Sequence, residues 1–302
     1  MEHQLSIVLG TYNRLDQLQR CVESIVSQTK TAFRLYVTDA GSTDGTVEYL
    51  QSIAGENIIP VLVGKKLGQA KAYNDVFNIV TTPYVCWLSD DNEVIDHGLD
   101  RAVSIIRTDP SIGMVALKTK DLQGPFVDAP FIGGVSSTGI LNVNQGLLPT
   151  ALLKKIGGFS EEFRDYGIDN ALTAEVLFAG YKVVYSRKVA LQHYRNWSED
   201  PTSENYQWLK QRHEAAKVLY EERYGNQNSQ ELSGSYRMKT KVARRVKAGA
   251  KRYLTNDYVR TSAAVRTCFI ILSSRYISIL DPILTFGRDY HLVQKKGPGE
   301  LL

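Results

Sequence analysis

The stretch Val85-Cys86-Trp87-Leu88-Ser89-Asp90-Asp91-Asn92-Glu93 decides the fold. An apolar run that stops at two adjacent carboxylates reads as a buried strand delivering acids to the rim of a sheet. There they can meet a cation and the phosphates it carries. The competing reading is a surface turn after a strand, because Ser, Asp and Asn all favour turns. The flanking chain has to separate the two.

Upstream, Thr82-Pro83 stops a helical pattern over Gly68 to Val80. Before that helix, Ile58 to Val63 reads as a strand. Leu35-Tyr36-Val37 is another, leading into Thr38-Asp39-Ala40-Gly41-Ser42-Thr43-Asp44-Gly45-Thr46 and a helix marked by Val47, Leu50 and Ile53. The first strand is Leu5-Ser6-Ile7-Val8-Leu9, ended by Gly10-Thr11-Tyr12-Asn13. Leu15, Leu18, Cys21, Val22, Ile25 and Val26 then recur at intervals of three and four, the period of an amphipathic helix. Strands alternating with helices predict an α/β fold with a mostly parallel, doubly wound sheet. Open sheets of this kind bind ligands at the carboxyl ends of their strands, where Asp39 and the Asp90-Asp91 pair would lie.

Downstream, Leu99 to Ile106 reads as helix and Ile112 to Leu117 as strand. Gly124 to Gly146 is rich in Gly, Pro and Ser, which predicts short antiparallel strands and loops able to meet an acceptor. Leu147 to Ile156 reads as a helix ended by Gly157-Gly158, and a further helix is predicted from about Asn170 to Ala179, capped by Gly180. Val183-Val184-Tyr185 and Val189-Ala190-Leu191 read as short strands, the second running into Gln192-His193-Tyr194-Arg195. Ser203 to Tyr224 is predicted helical.

The chain has 302 residues and is 43% hydrophobic and 23% charged, a balance that excludes wholesale disorder and a polytopic membrane protein. The three cysteines Cys21, Cys86 and Cys268 lack metal-type spacing and fit a reducing compartment. No signal peptide precedes Leu5, so the expected location is cytoplasmic. The net charge of +4 hides an asymmetry: residues 231–302 hold 14 Lys and Arg against 5 Asp and Glu, leaving 22 against 27 for residues 1–230. Within the basic part, Met238, Val242, Val246 and Ala250 recur at helical spacing between lysines and arginines. Residues 237–272 are therefore a candidate for an anionic membrane surface at the inner face of the cell membrane, or for a solvated face packed on the main domain. Nucleic acid is not the expected partner, for want of a recognisable binding fold. The expected division is a domain over 1–225, a linker over 226–236, and a basic, mainly helical region over 237–302.

Four features in order resemble the inverting GT-A glycosyltransferases of family 2: Ser6 to Arg14; Asp39 to Thr46; Ser89-Asp90-Asp91-Asn92; and Gly157-Gly158-Phe159 followed by Gly167-Ile168-Asp169-Asn170-Ala171-Leu172 and Ala179-Gly180-Tyr181. The resemblance covers roughly residues 4 to 200. It implies a GT-A type, Rossmann-like sheet and transfer of a sugar from a nucleotide diphosphate sugar to a hydroxyl of a glycan or lipid-linked acceptor, in the synthesis of cell-surface polysaccharide. It also places Thr11, Tyr12, Asn13, Arg14, Asp39 and Asp90 at the nucleotide, with Asp39 accepting from a base N–H. Asp91 and His193 would hold Mn²⁺ or Mg²⁺, hard ions that suit oxygen ligands and diphosphate. Asp169 would be the general base that takes the acceptor proton.

Each of these has a structural alternative: a packed aromatic for Tyr12, a self-satisfied turn for Asp39, a structural role for His193 and a helix N-cap for Asp169. The chain departs from the family pattern where Ser89 replaces a frequent acid, Ile168 a Glu and Ala171 an Asp. Two other functions share the layout. A nucleotidyltransferase would want a more Gly-rich loop than Gly10-Thr11-Tyr12-Asn13-Arg14, and a non-catalytic nucleotide-binding scaffold would not need acids at 39, 91 and 169.

Overall fold

The computed structural model describes residues 2–125, 127, 131–132, 141, 143–225 and 287–294. Its main sheet contains β1 (Leu5–Thr11), β2 (Phe33–Asp39), β3 (Ile58–Leu62), β4 (Tyr84–Trp87), β6 (Ile112–Ala116), β9 (Gly146–Pro149), β10 (Lys182–Ser186) and β12 (Tyr290–Gln294). Their order across the sheet is β12-β10-β6-β9-β4-β1-β2-β3. All run one way except β9 and β12, which are antiparallel to their neighbours. A smaller sheet orders β5 (Asn92–Val94), β11 (Leu191–Tyr194), β7 (Thr119–Gln123) and β8 (Phe131–Ile132) as β5-β11-β7-β8.

The central strands are apolar on both sides because both faces are covered. Ile7 and Leu9 of β1 face a cluster with Leu18, Cys21 and Ile25 of α1 (Leu15–Gln28) and Leu99 and Val103 of α4 (Gly98–Ile106). Leu50 of α2 (Thr46–Ser52) joins that face. Val8 points the other way, into a cluster with Tyr73 and Phe77 of α3 (Gln69–Ile79), Leu152 of α5 (Thr150–Ile156) and Leu172 of α6 (Ile168–Phe178). Phe159 is central there, its ring within 5.5–5.7 Å of those of Tyr73, Phe77 and Trp87. Burying one such ring contributes about 1.5–3 kcal/mol.

The alternation of strands and helices up to residue 116 is as the sequence predicts. The predicted helix over Leu147 to Ile156 is corrected: Leu147 and Leu148 belong to β9, wedged between β4 and β6, and the helix starts at Thr150. A short apolar run cannot distinguish a buried strand from a helix, and Pro149, with φ −64°, divides the two. The strand predicted at Val189 to Leu191 lies further on, at Leu191–Tyr194. The helix predicted over Ser203 to Tyr224 is α7 (Glu204–Tyr220), capped by the Ser203 hydroxyl, with a π turn over Glu221–Gly225. Most of Gly124 to Gly146 and of the basic region, including 237–272, lies outside the described residues. Within the region expected to be mainly helical, residues 290–294 form β12, which extends the main sheet beside β10.

Candidate active site

The carboxyl ends of β1, β2 and β4, the starts of α3 and α6, and the end of β11 open onto one cleft of about 970 Å³. That volume is in the range of small-molecule sites, and the position is the one expected for an open α/β sheet. Thr11, Tyr12, Arg14, Asp90, Asp91, Asp169 and His193 all line it.

Asn13 and Asp39 do not stand among the lining residues. Asn13 has a left-handed backbone, φ 50°, and ties two loops together. Its N–H donates to Ser42 Oγ at 2.9 Å, and its Oδ1 accepts from the Thr43 N–H at 2.8 Å. Asp39 is 1% exposed. Its Oδ1 accepts from the N–H groups of Gly41 (2.9 Å) and Ser42 (3.1 Å), and its Oδ2 from Ser42 Oγ (2.5 Å). Its carboxylate builds the turn, while its neighbours Thr38 and Ala40 line the cleft.

The acids at 90 and 91 stand on a turn directly after β4, and that turn faces the cleft. The Ser89 N–H donates to Asn92 Oδ1 at 3.0 Å, and Ser89 Oγ accepts from Gln145 Nε2 at 2.9 Å. Arg14 Nη1 lies 2.9 Å from Asp90 Oδ1 and 3.4 Å from Asp91 Oδ2. Burial, then the charge of Asp91, raises the Asp90 carboxyl to about 6 despite Arg14. Burial also opposes ionisation of Asp91, but the hydrogen bond and charge of His193, with Arg14 and Arg195, hold it below its usual value.

His193 is delivered by the smaller sheet. Its Cα pairs with that of Asp121 across β11 and β7, and with that of Asn92 across β11 and β5. Nδ1 lies 2.9 Å from Asp121 Oδ1, which turns Nε2 to within 3.1 Å of Asp91 Oδ1. Burial disfavours the imidazolium, yet the two carboxylates prevail and raise the His193 pKa. A histidine fixed by a carboxylate on one nitrogen presents the other in a set direction, as metal-binding histidines do. Among the described residues no cluster of three or more His, Cys, Asp or Glu could hold an ion alone. The adjacent donors Asp91 and His193 fit an ion that completes its shell with diphosphate oxygens and water.

Asp169 lies in the first turn of α6, behind Gly167, which occupies the cap with φ 79°. It is not the N-cap. Burial raises its carboxyl to about 6. A carboxylate recessed in this way accepts protons near neutral pH.

Several residues in and behind the cleft lie outside the sequence expectation. Asp121 anchors His193 and accepts from Arg195 Nε at 2.9 Å. Arg195 follows His193 by two residues, just past the end of β11, and that short separation was the available signal for it. Tyr166, Trp197, Trp208 and His213 also line the cleft, and nothing in their separation along the chain marks them as neighbours.

Residues 6–131 match the family model described as glycosyl transferase family 2. The UDP-Glc:alpha-D-GlcNAc-diphosphoundecaprenol beta-1,3-glucosyltransferase WfaP of Escherichia coli is 27% identical over 105 residues, 35% of this chain and 42% of that protein. The chain spans about a third of the length of the curated relatives it matches first. Among solved structures, S. aureus TarS 1–349 in complex with UDP aligns with a TM-score of 0.52 at 17% identity, over 94% of this chain and 87% of that one. The mannosyltransferase PcManGT of Pyrobaculum calidifontis, in complex with GDP-Man and Mn²⁺, aligns with a TM-score of 0.50 at 19% identity, over 68% and 59%. The match covers the first three of the four ordered motifs, so the resemblance to family 2 glycosyltransferases is borne out there, and the aligned structures bear out the GT-A type fold.

Proposed function

We propose that the chain is a metal-dependent inverting glycosyltransferase that moves a sugar from a nucleotide diphosphate sugar to a hydroxyl of a glycan or lipid-linked acceptor, in the synthesis of cell-surface polysaccharide. The observation that carries this reading is one cleft lined by two chemically different carboxylate sites. Asp91 is held ionised beside His193, and Asp169 is recessed and raised to about 6. Support comes from the family match over the amino-terminal part and from the relative named for a lipid-linked acceptor.

In this reading the nucleotide lies over Thr11, Tyr12 and Arg14, with Asp90 beside it. Asn13 and Asp39 act behind the surface, shaping the two loops that receive it. Asp91 and His193 hold Mn²⁺ or Mg²⁺, which when bound offsets the charge on the departing nucleoside diphosphate. Asp121 keeps the His193 ring oriented towards it. Arg14, which bridges Asp90 and Asp91, leaves that pair for the diphosphate once their charge is otherwise neutralised. Asp169 accepts the acceptor hydroxyl proton as its oxygen attacks the anomeric carbon, from the face opposite the leaving group. The domain boundaries at 225 and 237, a cytoplasmic location and peripheral attachment through 237–272 belong to the same proposal. Among the described residues no helix is long and apolar enough to cross a membrane.

Thermal melting with UDP and GDP, each with and without Mn²⁺, tests the donor side. Ligand at about a hundred times its Kd contributes roughly 2.7 kcal/mol, so one nucleotide should raise the melting temperature only with the ion. Asp91→Ala should lose that ion-dependent rise. A wild-type protein indifferent to both nucleotides, or an Asp91→Ala variant that keeps the full rise, overturns the assignment.

A further inference from the structure

Beyond Asp169 the cleft carries an aromatic wall that neither the metal site nor the nucleotide loops use. The Tyr166 ring lies 4.6 Å from that of His213 and 6.0 Å from that of Trp208, in edge contact. The Trp197 ring lies 5.4 Å from that of His213, also in edge contact. Tyr166 stands three residues before Asp169, and Trp208 and His213 project from α7. These four rings come from three separate segments, yet all line the same cleft as the recessed acid.

The wall is open to solvent. Trp208 is 47% exposed, although a Trp surrenders more apolar area on burial than most side chains. The Arg212 guanidinium lies 5.2 Å from the Trp208 ring, and the Arg195 guanidinium 4.4 Å from the Trp197 ring. The rings are thus held edge to face and steadied by cations, so a flat ligand meets fixed surfaces and loses little side-chain entropy on their side.

We infer that Tyr166, Trp197, Trp208 and His213 form the acceptor subsite, with a sugar ring of the acceptor stacked on the exposed Trp208 face. This rests on the transferase reading and adds the class of acceptor group it recognises. The C–H face of a pyranose is weakly positive and apolar, and the face of an aromatic ring carries the complementary negative quadrupole. Hydroxyl groups at the ring edge stay available to the guanidinium and carboxylate groups beside the wall. A nucleobase is the other flat occupant, but the loops that fit the nucleotide lie at the ends of β1 and β2. The wall stands instead on the segment leading to Asp169, on the stretch after β11 and on α7. A lipid chain alone would make no use of the charged groups beside the wall, Arg195 with Asp121 and Arg212 with Asp165.

The test titrates the full chain with methyl glycosides of glucose, galactose, mannose and N-acetylglucosamine, following tryptophan fluorescence. Nucleoside diphosphate with Mn²⁺ is followed by thermal shift in the same samples. At least one glycoside should give a saturable change in the wild type. Trp208→Ala should weaken that binding about tenfold, and Trp208→Phe, which keeps an aromatic face, should restore it to within about threefold. The nucleotide shift should be the same in all three proteins, which also shows that each is folded. No saturable response to any glycoside in the wild type, or unchanged affinity in Trp208→Ala, overturns the subsite. A glycoside response without any nucleotide shift leaves the subsite standing and overturns the transferase reading.

Discussion

Asp169 and Asp91 are both aspartates in one cleft, and their surroundings drive them apart. Asp91 keeps its charge because His193 donates to it and two arginines lie near. Asp169 is buried, and the backbone N–H groups of Asn170 and Asp169 itself, with the charge of Arg195, only partly offset that burial, so its carboxyl rises to about 6. In the proposed reaction Asp169→Asn should lower transfer by about 10²–10⁴-fold while nucleotide binding persists. The wild-type pH profile of kcat/KM should lose activity as pH falls through about 6, when the base becomes protonated. The sign for stability is opposite: the raised pKa means the folded state holds its proton more tightly than the unfolded one. Above 6 the charged, buried carboxylate therefore costs stability. Asp169→Asn should be the more stable protein at pH 7.5, on the order of 2 kcal/mol, with the gap closing towards pH 4 in denaturant melts. A variant with full transfer rates, or a stability gap that widens on acidification, contradicts this account. At this scale the sequence was informative where an ionisable residue at a strand or helix end reaches the cleft, as with Asp90, Asp91, Asp169 and His193. It was silent on partners such as Asp121 and Gln145, because a hydrogen bond between residues far apart in the chain leaves no local pattern.

Elements meet the site through a few tight joints. Asn74 of α3 clamps the turn after α5: its Nδ2 donates to the Phe159 carbonyl at 2.8 Å, and its Oδ1 accepts from the Phe159 N–H at 2.9 Å. Gly157 and Gly158 form that turn with φ of 87° and 74°. An added Cβ at Gly157 would meet nothing within 4 Å, whereas at Gly158 it would stand 2.5 Å from Asn74 Oδ1, an atom pinned by its own hydrogen bond. Gly157→Ala should cost about 1–2 kcal/mol from the left-handed backbone alone. Gly158→Ala should cost about 1–3 kcal/mol more, since it forces the clamp open and unseats Phe159. Equal melting temperatures for the two variants would show that the clamp yields freely. The same scale explains what periodicity missed. Leu147 and Leu148 read as the start of a helix because two apolar neighbours before Thr150 fit either period. Their place in β9 is decided by backbone pairing with Tyr84 to Trp87, some sixty residues earlier.

Across the whole molecule the sheet was legible because five of its strands, β1, β2, β4, β6 and β10, are largely buried and read as apolar runs. Strands β7, β9 and β12 were not, being short or placed by distant partners; β12 joins the sheet more than a hundred residues after β10 in sequence. The smaller sheet carries functional weight beyond its size, since it sets His193 opposite Asp121 and beside Asp91. Two carboxylate sites on one cleft, with an aromatic wall beside Asp169, match the layout that the proposed displacement requires. The most direct measurement follows turnover of UDP-sugars and GDP-sugars by ¹H and ³¹P NMR in the presence of Mn²⁺, with water standing in for the acceptor. The account predicts release of nucleoside diphosphate and, at the earliest times, a free sugar of the anomeric configuration opposite to the donor's. Release of pyrophosphate, a sugar of retained configuration, or no turnover of any donor would contradict it.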